Sequence, residues 1–233
     1  MQKSCWGSSI TKSPLIPLYK SGKILPFIRG DTEGFILEKS WLMDTSTFIA
    51  VELTEGLKKE LAELEVQLKK NSPPVVKWVD PKNIHITLKF LGEIAEDSID
   101  EVMLAIEESA QGIQPFQLEV REAGAFPNLE RPQVLWVGVK GELEKITQLQ
   151  KSIESNTEQL GFPRESRAFS PHLTLGRVRD EARPNERQRL GKLLADTSFT
   201  ALCNINVAAI NLMKSQLTPS GPIYTCIGSV KLK

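Results

Sequence analysis

The chain has 233 residues, 40% of them hydrophobic, and its 29 lysines and arginines balance its 29 aspartates and glutamates, which is the composition of a globular protein with a sizeable core. The zero net charge argues against a protein that coats duplex nucleic acid through many phosphate contacts, but it leaves room for a small site that takes a nucleic-acid end. The three cysteines, Cys5, Cys203 and Cys226, are too few and too scattered for a disulfide framework or a zinc site, so we expect a protein of the reducing cytoplasm.

Residues 1–42 differ in character from the rest of the chain. They carry Ser, Gly, Pro and Lys and show no sustained hydrophobic period, so we predict a poorly ordered N-terminal extension. Met43 then opens a clear strand pattern, and we expect residues 43–233 to form the working domain. A further hypothesis is that translation starts at Met43, and mass spectrometry of the natively expressed protein tests it, because an N-terminus upstream of Met43 would contradict it.

From Met43 onward, apolar patterns predict strands that alternate with amphipathic helices. The predicted strands are Thr47–Leu53, Val75–Val79, Ile84–Leu91, Phe116–Val120, Gln133–Val139, Leu173–Val178, Ile205–Met213 and Ile223–Val230. Helical spacing of apolar residues predicts helices over Leu57–Leu68, Ile99–Ile106, Leu143–Leu160 and Glu186–Ala195. The second of these helices opens with the Ser98 to Glu101 spacing of a capping box. The apolar runs are far too short to cross a membrane, so we expect no integral membrane protein.

The two halves of this pattern repeat each other. When His85 is aligned with His172, FIAVEL at Phe48 falls on LWVGVK at Leu135, and HITL falls on HLTL. A helix follows the first strand in each half. The repeat predicts a duplicated unit of strand, helix and strand, and therefore two similar lobes that face each other.

The strongest chemical signal is that the chain has only two histidines and that both lie in the pattern His-x-Thr-Leu. Residues i and i+2 of a strand share a face, so His85 points with Thr87, and His172 with Thr174. A neutral imidazole takes a proton from an attacking water while a protonated imidazole gives one to a leaving oxygen. Threonine hydroxyls can donate hydrogen bonds to the phosphate oxygens, on which negative charge grows in the transition state. The set predicts in-line displacement at phosphorus without a metal or a cofactor. The alternative, two structural histidines bonded within their strands, leaves the matched pair unexplained.

Four other side chains are weaker candidates. Arg177 would hold a phosphate, but strict alternation puts it on the face opposite His172, so it reaches the site only if the strand ends or bulges there. The alternative for Arg177 is a solvated surface charge. Lys89 has the parity of the first histidine, although an exposed strand lysine is the simpler interpretation. Phe48 has the chemistry to stack on a nucleobase, and Trp136 lies in a strand that looks buried. For both aromatic residues a core position is favoured.

These motifs resemble those of the two-histidine (2H) phosphoesterases and, within them, the LigT/ThpR-like RNA 2′,3′-cyclic phosphodiesterases. The resemblance covers about residues 43–233 and rests on TFIAVEL, NIHITLKFLGE, GAFPNLERPQVLWVGV and SPHLTLGRV, whereas residues 1–42 have no counterpart. It implies a bilobal, duplicated α+β fold with two antiparallel sheets facing a central cleft and helices on the outside. It also implies metal-independent hydrolysis of a terminal 2′,3′-cyclic phosphate to a 2′-phosphomonoester, and a related 2′-5′ RNA ligase activity on tRNA halves.

Carried onto this chain, the resemblance implies that His85 is the acid that protonates the departing O3′ and that His172 is the base that activates water. Thr87 and Thr174 are the motif hydroxyls. The two motifs are nearly equivalent, so the sequence alone does not fix the direction of this assignment. We expect the substrate to be an RNA end or nucleotide with a 2′,3′-cyclic phosphate, and we expect no cofactor, no membrane partner and a monomer.

Two alternatives stay open at this point. The same fold and site would also suit a small cyclic phosphate derived from a nucleotide, because no feature of the sequence sets base or chain length. A non-catalytic module that binds nucleotides or RNA ends is the other alternative, and the intact histidines and threonines of both motifs argue against it.

Overall fold

The computed structural model describes residues 45–219 and 221–233. The predicted N-terminal extension over residues 1–42 and the proposed start at Met43 therefore lie outside the described residues. Within the described part, the chain forms strands β1 (Thr45–Glu52), β2 (Val76–Trp78), β3 (His85–Gly92), β4 (Phe116–Phe126), β5 (Val134–Gly141), β6 (His172–Val178), β7 (Ile205–Val207), β8 (Ala209–Thr218) and β9 (Gly221–Lys231). The α-helices are α1 (Glu55–Asn71), α2 (Ile99–Ala110), α3 (Leu143–Gln159) and α4 (Pro184–Ala195).

All these strands pair antiparallel in one sheet with the order β7-β4-β5-β6-β3-β1-β8-β9, and β2 pairs with β6. The sheet has two halves, one around β3 and β1 and the other around β6 and β5. The halves meet where Ile86 of β3 lies opposite Leu173 of β6. The α+β fold class, with its antiparallel halves, is confirmed, and the sheet is continuous through the contact of the two histidine strands.

The helices form because their apolar residues recur on one face, and that face packs against the sheet. In α1, Leu57, Leu61, Leu64 and Leu68 are buried, and Thr54 caps the helix by accepting a hydrogen bond from the backbone N–H of Leu57. Burying one such leucine side chain contributes roughly 1.5–3 kcal/mol. The apolar faces of all four helices join one core with the sheet residues that point the same way. The opposite face of the sheet is therefore left for the two histidine motifs.

Two predicted features differ from the structure. Ser98 has helical backbone angles and makes no side-chain cap, because a short 3₁₀ turn over Glu96–Ser98 leads directly into α2. The predicted capping box is therefore wrong. The strand predicted over Ile205–Met213 is divided into β7 and β8, since β7 pairs with β4 in one half of the sheet and β8 pairs with β1 in the other. None of the helices between residues 45 and 233, Ser220 excepted, is long and apolar enough to span a membrane.

Gly191 allows α4 to lie against the loop before β5. A Cβ atom at this position would lie 1.8 Å from the carbonyl oxygen of Leu129, so alanine fits only if backbone moves. We expect Gly191→Ala to lower the free energy of unfolding by about 1–3 kcal/mol, although alanine favours the helix by about 1 kcal/mol. Urea denaturation measures this, with Lys192→Ala at the exposed next position as the control. Equal unfolding midpoints for the two variants would show that the loop has moved freely.

Candidate active site

The two histidines lie at the contact between the halves of the sheet. His85 begins β3 and His172 begins β6, and the residues after them are registered partners, Ile86 opposite Leu173. In an antiparallel pair with this register, each histidine lies next to the threonine of the other motif. His85, Thr87, His172 and Thr174 are all half-buried on the face opposite the core. The structure thus brings together the four side chains that the motifs predict.

Both imidazoles are held in the same way. Nδ1 of His85 lies 2.7 Å from the carbonyl oxygen of Asn83, and Nδ1 of His172 lies 2.7 Å from that of Ser170. A carbonyl oxygen only accepts, so we assign the hydrogen of each neutral ring to Nδ1. Nε2 is then the nitrogen of each ring that exchanges a proton with a bound molecule.

The environment keeps both rings neutral near pH 7. Burial lowers the pKa of His85, the hydrogen bond to Asn83 opposes this, and the nearby His172 lowers it further. Burial also lowers the pKa of His172, the hydrogen bond to Ser170 opposes it, and the cationic Arg177 lowers it further. The pKa of His85 therefore depends on the charge of His172, and the pKa of His172 depends on the charge of Arg177.

A bulge in β3 decides which side chains after the first motif face the histidines. Ala50 of β1 lies opposite Thr87, while the next β1 residue, Ile49, lies opposite Lys89. One residue of β3 is therefore extra, and the alternation of side chains reverses beyond it. Lys89 turns into the core, where it is 5% exposed, and Phe90 turns to the histidine face, where it is 65% exposed.

A second bulge stands at the same place in β6. Trp136 of β5 lies opposite Thr174, and Leu135 lies opposite Gly176. Gly176 is buried at the position that corresponds to Lys89, and Arg177 is exposed on the histidine face. The sequence predicts that Arg177 reaches the site only if the strand ends or bulges there, and the structure has this bulge.

The Arg177 cation acts electrostatically on two groups of the site. This cation lowers the pKa of His172, and it opposes the burial that raises the pKa of the Tyr224 phenol. The ring of Tyr224 lies against His85, with 5.4 Å between the ring centroids. The charge of Arg177 is therefore felt both by the second histidine and by the aromatic neighbour of the first.

Lys89 does not belong to the site. Its Nζ donates to Oε2 of Glu154 at 2.6 Å and to the carbonyl oxygen of Pro163 at 2.9 Å. The prediction that Lys89 faces the same side as His85 is wrong, and so is the prediction that it is an exposed lysine, because the bulge turns this side chain into the core.

An aromatic ring packs on each histidine. Phe48 stacks on His85 with 4.7 Å between ring centroids and 25° between the planes, and Phe126 meets His172 edge to face at 4.9 Å. Phe48 is buried, as its strand pattern favoured, but in a small cluster beside His85 and not in the main core. Tyr224 completes this cluster, and sequence reasoning missed it because it comes from the C-terminal strand with no motif around it.

Trp136 faces the site and not the core. It is half-buried opposite Thr174, so the predicted core position is wrong. Its indole lies over two glycines of the sheet, since a Cβ atom on Gly124 or Gly138 would come within 2.4 or 3.3 Å of indole carbons. Phe126 packs beside it at 5.3 Å between ring centroids. The glycines at 124 and 138 were the available sequence signal for a large ring lying flat on this face.

The hydroxyls of Thr87 and Thr174 are free to donate. Among the described residues, neither hydroxyl takes part in a hydrogen bond. A small pocket beside His85 is lined by Ala50, Glu52, Lys58, Lys82, Asn83, Ile84, Met213 and Tyr224. In residues 45–219 and 221–233, no three His, Cys, Asp or Glu side chains are grouped so that they could hold a metal ion. The arrangement offers two proton carriers, two hydroxyl donors and one cation to a phosphate group.

Comparison with known proteins gives one consistent result. A family model described as LigT-like phosphoesterase matches residues 51–136 and 137–224, once in each repeat. An RNA 2′,3′-cyclic phosphodiesterase of Methanothermobacter thermautotrophicus is 36% identical over 183 residues, which is 78% of this chain and 96% of the relative. One of Aquifex aeolicus with the same name is 34% identical over 177 residues, covering 76% of this chain and 87% of the relative.

Solved structures show the same fold. The crystal structure of TT0787 of Thermus thermophilus superposes with a TM-score of 0.66 at 26% identity, covering 80% of this chain and 97% of that one. E. coli LigT complexed with 3′-AMP superposes with a TM-score of 0.65 at 22% identity, covering 81% of this chain and 98% of that one.

Proposed function

Because the chain belongs to the LigT-like phosphoesterase family, we propose that it is an RNA 2′,3′-cyclic phosphodiesterase that opens the terminal cyclic phosphate to a 2′-phosphomonoester. The family predicted from the paired motifs is thereby confirmed. The observation that carries the proposal is the pair of imidazoles with identical Nδ1 hydrogen bonds, each beside the threonine of the other motif. Relatives at 34–36% identity that share this activity in their names support it.

In the proposed reaction the two histidines divide the proton transfers. Nε2 of neutral His172 takes a proton from a water molecule, whose oxygen attacks phosphorus. The bond from phosphorus to O3′ breaks, and protonated His85 gives its Nε2 proton to O3′. The products are a 2′-phosphate and a 3′-hydroxyl. The Arg177 cation beside His172 supports this direction, because it disfavours the protonated form of the ring that has to act as the base.

The threonines, Arg177 and Phe90 suit the phosphate and the base of the substrate. The hydroxyls of Thr87 and Thr174 would donate to the non-bridging oxygens as their charge grows, and Arg177 would pair with the phosphate. The ring of Phe90, exposed on the same face, gives the terminal base a surface on which to stack. The site thus provides for a phosphate and a base on one terminal nucleotide.

The proposal is tested with an RNA oligonucleotide that ends in a 2′,3′-cyclic phosphate. We expect the purified protein to convert it in the presence of EDTA, and ³¹P NMR to identify the product as the 2′-phosphate. The same oligonucleotide with a linear 3′-phosphate is the matched control and should stay unchanged. No turnover by a folded protein, or a 3′-phosphate product, would contradict the proposal.

We propose that the same site also joins RNA ends and that the protein works as a monomer in the cytoplasm. The same acid and base would serve a 5′-hydroxyl that attacks the cyclic phosphate in place of water: the base takes the hydroxyl proton, the bond from phosphorus to O3′ breaks, and the acid protonates O3′. The product is a 2′-5′ linkage, so joining of RNA ends such as tRNA halves would use the same residues. Cys203 and Cys226 are free thiols, which supports a reducing, cytoplasmic setting. The expected monomer is checked by sedimentation of the full chain.

The pH dependence of kcat/KM should be bell-shaped with its maximum on the acid side of neutrality. One ring must be protonated and the other neutral, and the pKa of each lies below the usual range for histidine. The low-pH side reports loss of the neutral base, and the high-pH side reports loss of the protonated acid. A bound phosphate anion stabilises the imidazolium, so the maximum for kcat should lie at higher pH than that for kcat/KM. A flat profile from about pH 5 to 8 would contradict the acid–base pair.

Replacing Arg177 separates its two effects on the site. We expect Arg177→Gln to raise KM by about 10- to 100-fold, since a hydrogen bond to a charged group such as phosphate is worth about 1.5–3 kcal/mol. Removal of the cation also raises the pKa of His172, so the low-pH side of the kcat/KM profile should move to higher pH. Arg179→Gln, an exposed arginine two residues further on, is the control. A profile that does not move would show that Arg177 does not act on His172.

A further inference from the structure

A buried ion pair connects the strand of the first motif to a helix of the second repeat. Lys89 comes from β3, the strand of the first motif, and Glu154 comes from α3, which belongs to the second repeat. Both side chains are more than nine-tenths buried. We propose that this pair is a positioning device that fixes His172 relative to His85. The kinetic part of the proposal depends on the proposed function, whereas the spectroscopic part does not.

The pair holds the segment that leads to the second motif. Nζ of Lys89 donates to the carbonyl oxygen of Pro163 at 2.9 Å, and the backbone N–H of Glu165 donates to Oε2 of Glu154 at 3.2 Å. The other carboxylate oxygen of Glu154 accepts a hydrogen bond from Gln150. Both ends of the pair are therefore bonded to the start of the connection between α3 and β6.

The same connection ends at the hydrogen bond that orients the base. Ser170 lies two residues before His172, and its carbonyl oxygen accepts the hydrogen bond from Nδ1. Most of residues 163–170 are exposed, and Phe162 and Phe169 anchor the segment on the core. Fixing Pro163 and Glu165 shortens the free part of the segment, so the position of the Ser170 carbonyl depends on the ion pair.

A role in stability alone does not account for this pair. Charges are costly to bury, and replacing a buried ion pair with apolar residues of similar size is often neutral or stabilising. The second repeat has Gly176 at the position of Lys89 and folds into the corresponding strand without such a pair. The pair instead links β3 to α3, the helix from which the chain continues to β6, while β3 and β6 themselves share one registered residue pair.

The test replaces both charges together. Lys89→Met alone leaves the Glu154 carboxylate buried without its cation, so we expect that variant to be unstable. In Lys89→Met/Glu154→Met we expect an unfolding midpoint no lower than that of the wild type, a kcat lower by about 10- to 100-fold and a KM within about twofold, because small displacements of reacting groups mainly slow the chemical step. Lys89→Arg retains the charge and should keep most of the kcat.

The matched control is Glu65→Met/Lys69→Met. It removes a pair with a buried carboxylate and a 2.6 Å contact that lies within one helix, α1. We expect this control to retain the wild-type kcat.

¹⁵N NMR reads the position of the base without any substrate. The chain has two histidines, so two sets of imidazole signals are expected, and His172→Asn assigns them. In the Met/Met variant of Lys89 and Glu154 we expect the His172 signals to shift toward the Nε2–H form while those of His85 stay. A wild-type kcat, unchanged His172 signals or an unfolded double variant would each overturn the proposal. If the wild type opens no cyclic phosphate, the proposed function fails, and the NMR result still decides the positioning role.

Discussion

His85→Asn and His172→Asn should each lower kcat for an RNA 2′,3′-cyclic phosphate by about 10²–10⁴-fold, the usual contribution of a positioned acid or base. Asparagine is the informative replacement, because its amide N–H₂ takes the place of Nδ1 and keeps the hydrogen bond to the backbone carbonyl of Asn83 or Ser170. What it removes is Nε2, the atom that carries the transferred proton. The unfolding midpoint should therefore change little while the activity is lost.

A substrate that needs no acid tells the two roles apart. A 4-nitrophenyl phosphodiester has a leaving group of low pKa, which departs without a proton. His85→Asn should recover much of its activity on that substrate, and His172→Asn should not, because its water still lacks a base. Recovery by His172→Asn alone would reverse the assignment, and recovery by neither would show that both rings act before the bond to the leaving group breaks.

The two variants should also remove opposite sides of the pH profile. Without His172 the rate no longer rises with pH through the titration of the base, and without His85 it no longer falls through the titration of the acid. The double variant should be little slower than either single variant, because residues that act as a unit give losses that do not add. Two losses that multiply would mean that the histidines act independently.

The paired motifs could be predicted because they depend on a strict local rule. His85 and Thr87 share a face whenever the chain is extended, and so do His172 and Thr174. Nothing beyond the two tetrapeptides is needed for that prediction. The tie of Lys89 to Glu154, in contrast, joins residues that are 65 positions apart, and no local pattern reports such a contact.

The errors begin where each motif ends, at the two bulges. A bulge inserts one unpaired residue, and every side chain beyond it points to the opposite face of the sheet from the one that alternation predicts. Lys89 therefore faces the core and not the histidines, and Arg177 faces the histidines and not the core. A bulge cannot be predicted from the residue types of its own strand, because its position is set by the pairing with the neighbouring strand. The sequence pattern favours a core position for Trp136 for a related reason, since β5 has apolar residues on both faces and the pattern does not show which face packs on the helices.

The paired threonines should have the second largest effect on kcat. Thr87→Val and Thr174→Val keep the branched shape that suits a strand, and the hydroxyls they remove have no partner among the described residues, so we expect no loss of stability. Loss of one donor to the developing charge typically costs about 10²–10³-fold in kcat. Thr→Ser variants retain the hydroxyl and should recover most of the rate, and a serine variant as slow as the valine variant would contradict a hydrogen-bonding role.

Phosphorothioate substrates extend this test to the individual oxygens of the phosphate. Sulfur accepts hydrogen bonds poorly, so replacing one non-bridging oxygen of the cyclic phosphate should slow the wild type. If Thr87 donates to that oxygen, Thr87→Val should no longer distinguish sulfur from oxygen there, while Thr174→Val should still do so. The other phosphorothioate isomer should give the reverse pattern, because each threonine approaches from its own half of the sheet. Variants that keep the full sulfur effect with both isomers would show that neither hydroxyl contacts the phosphate in the transition state.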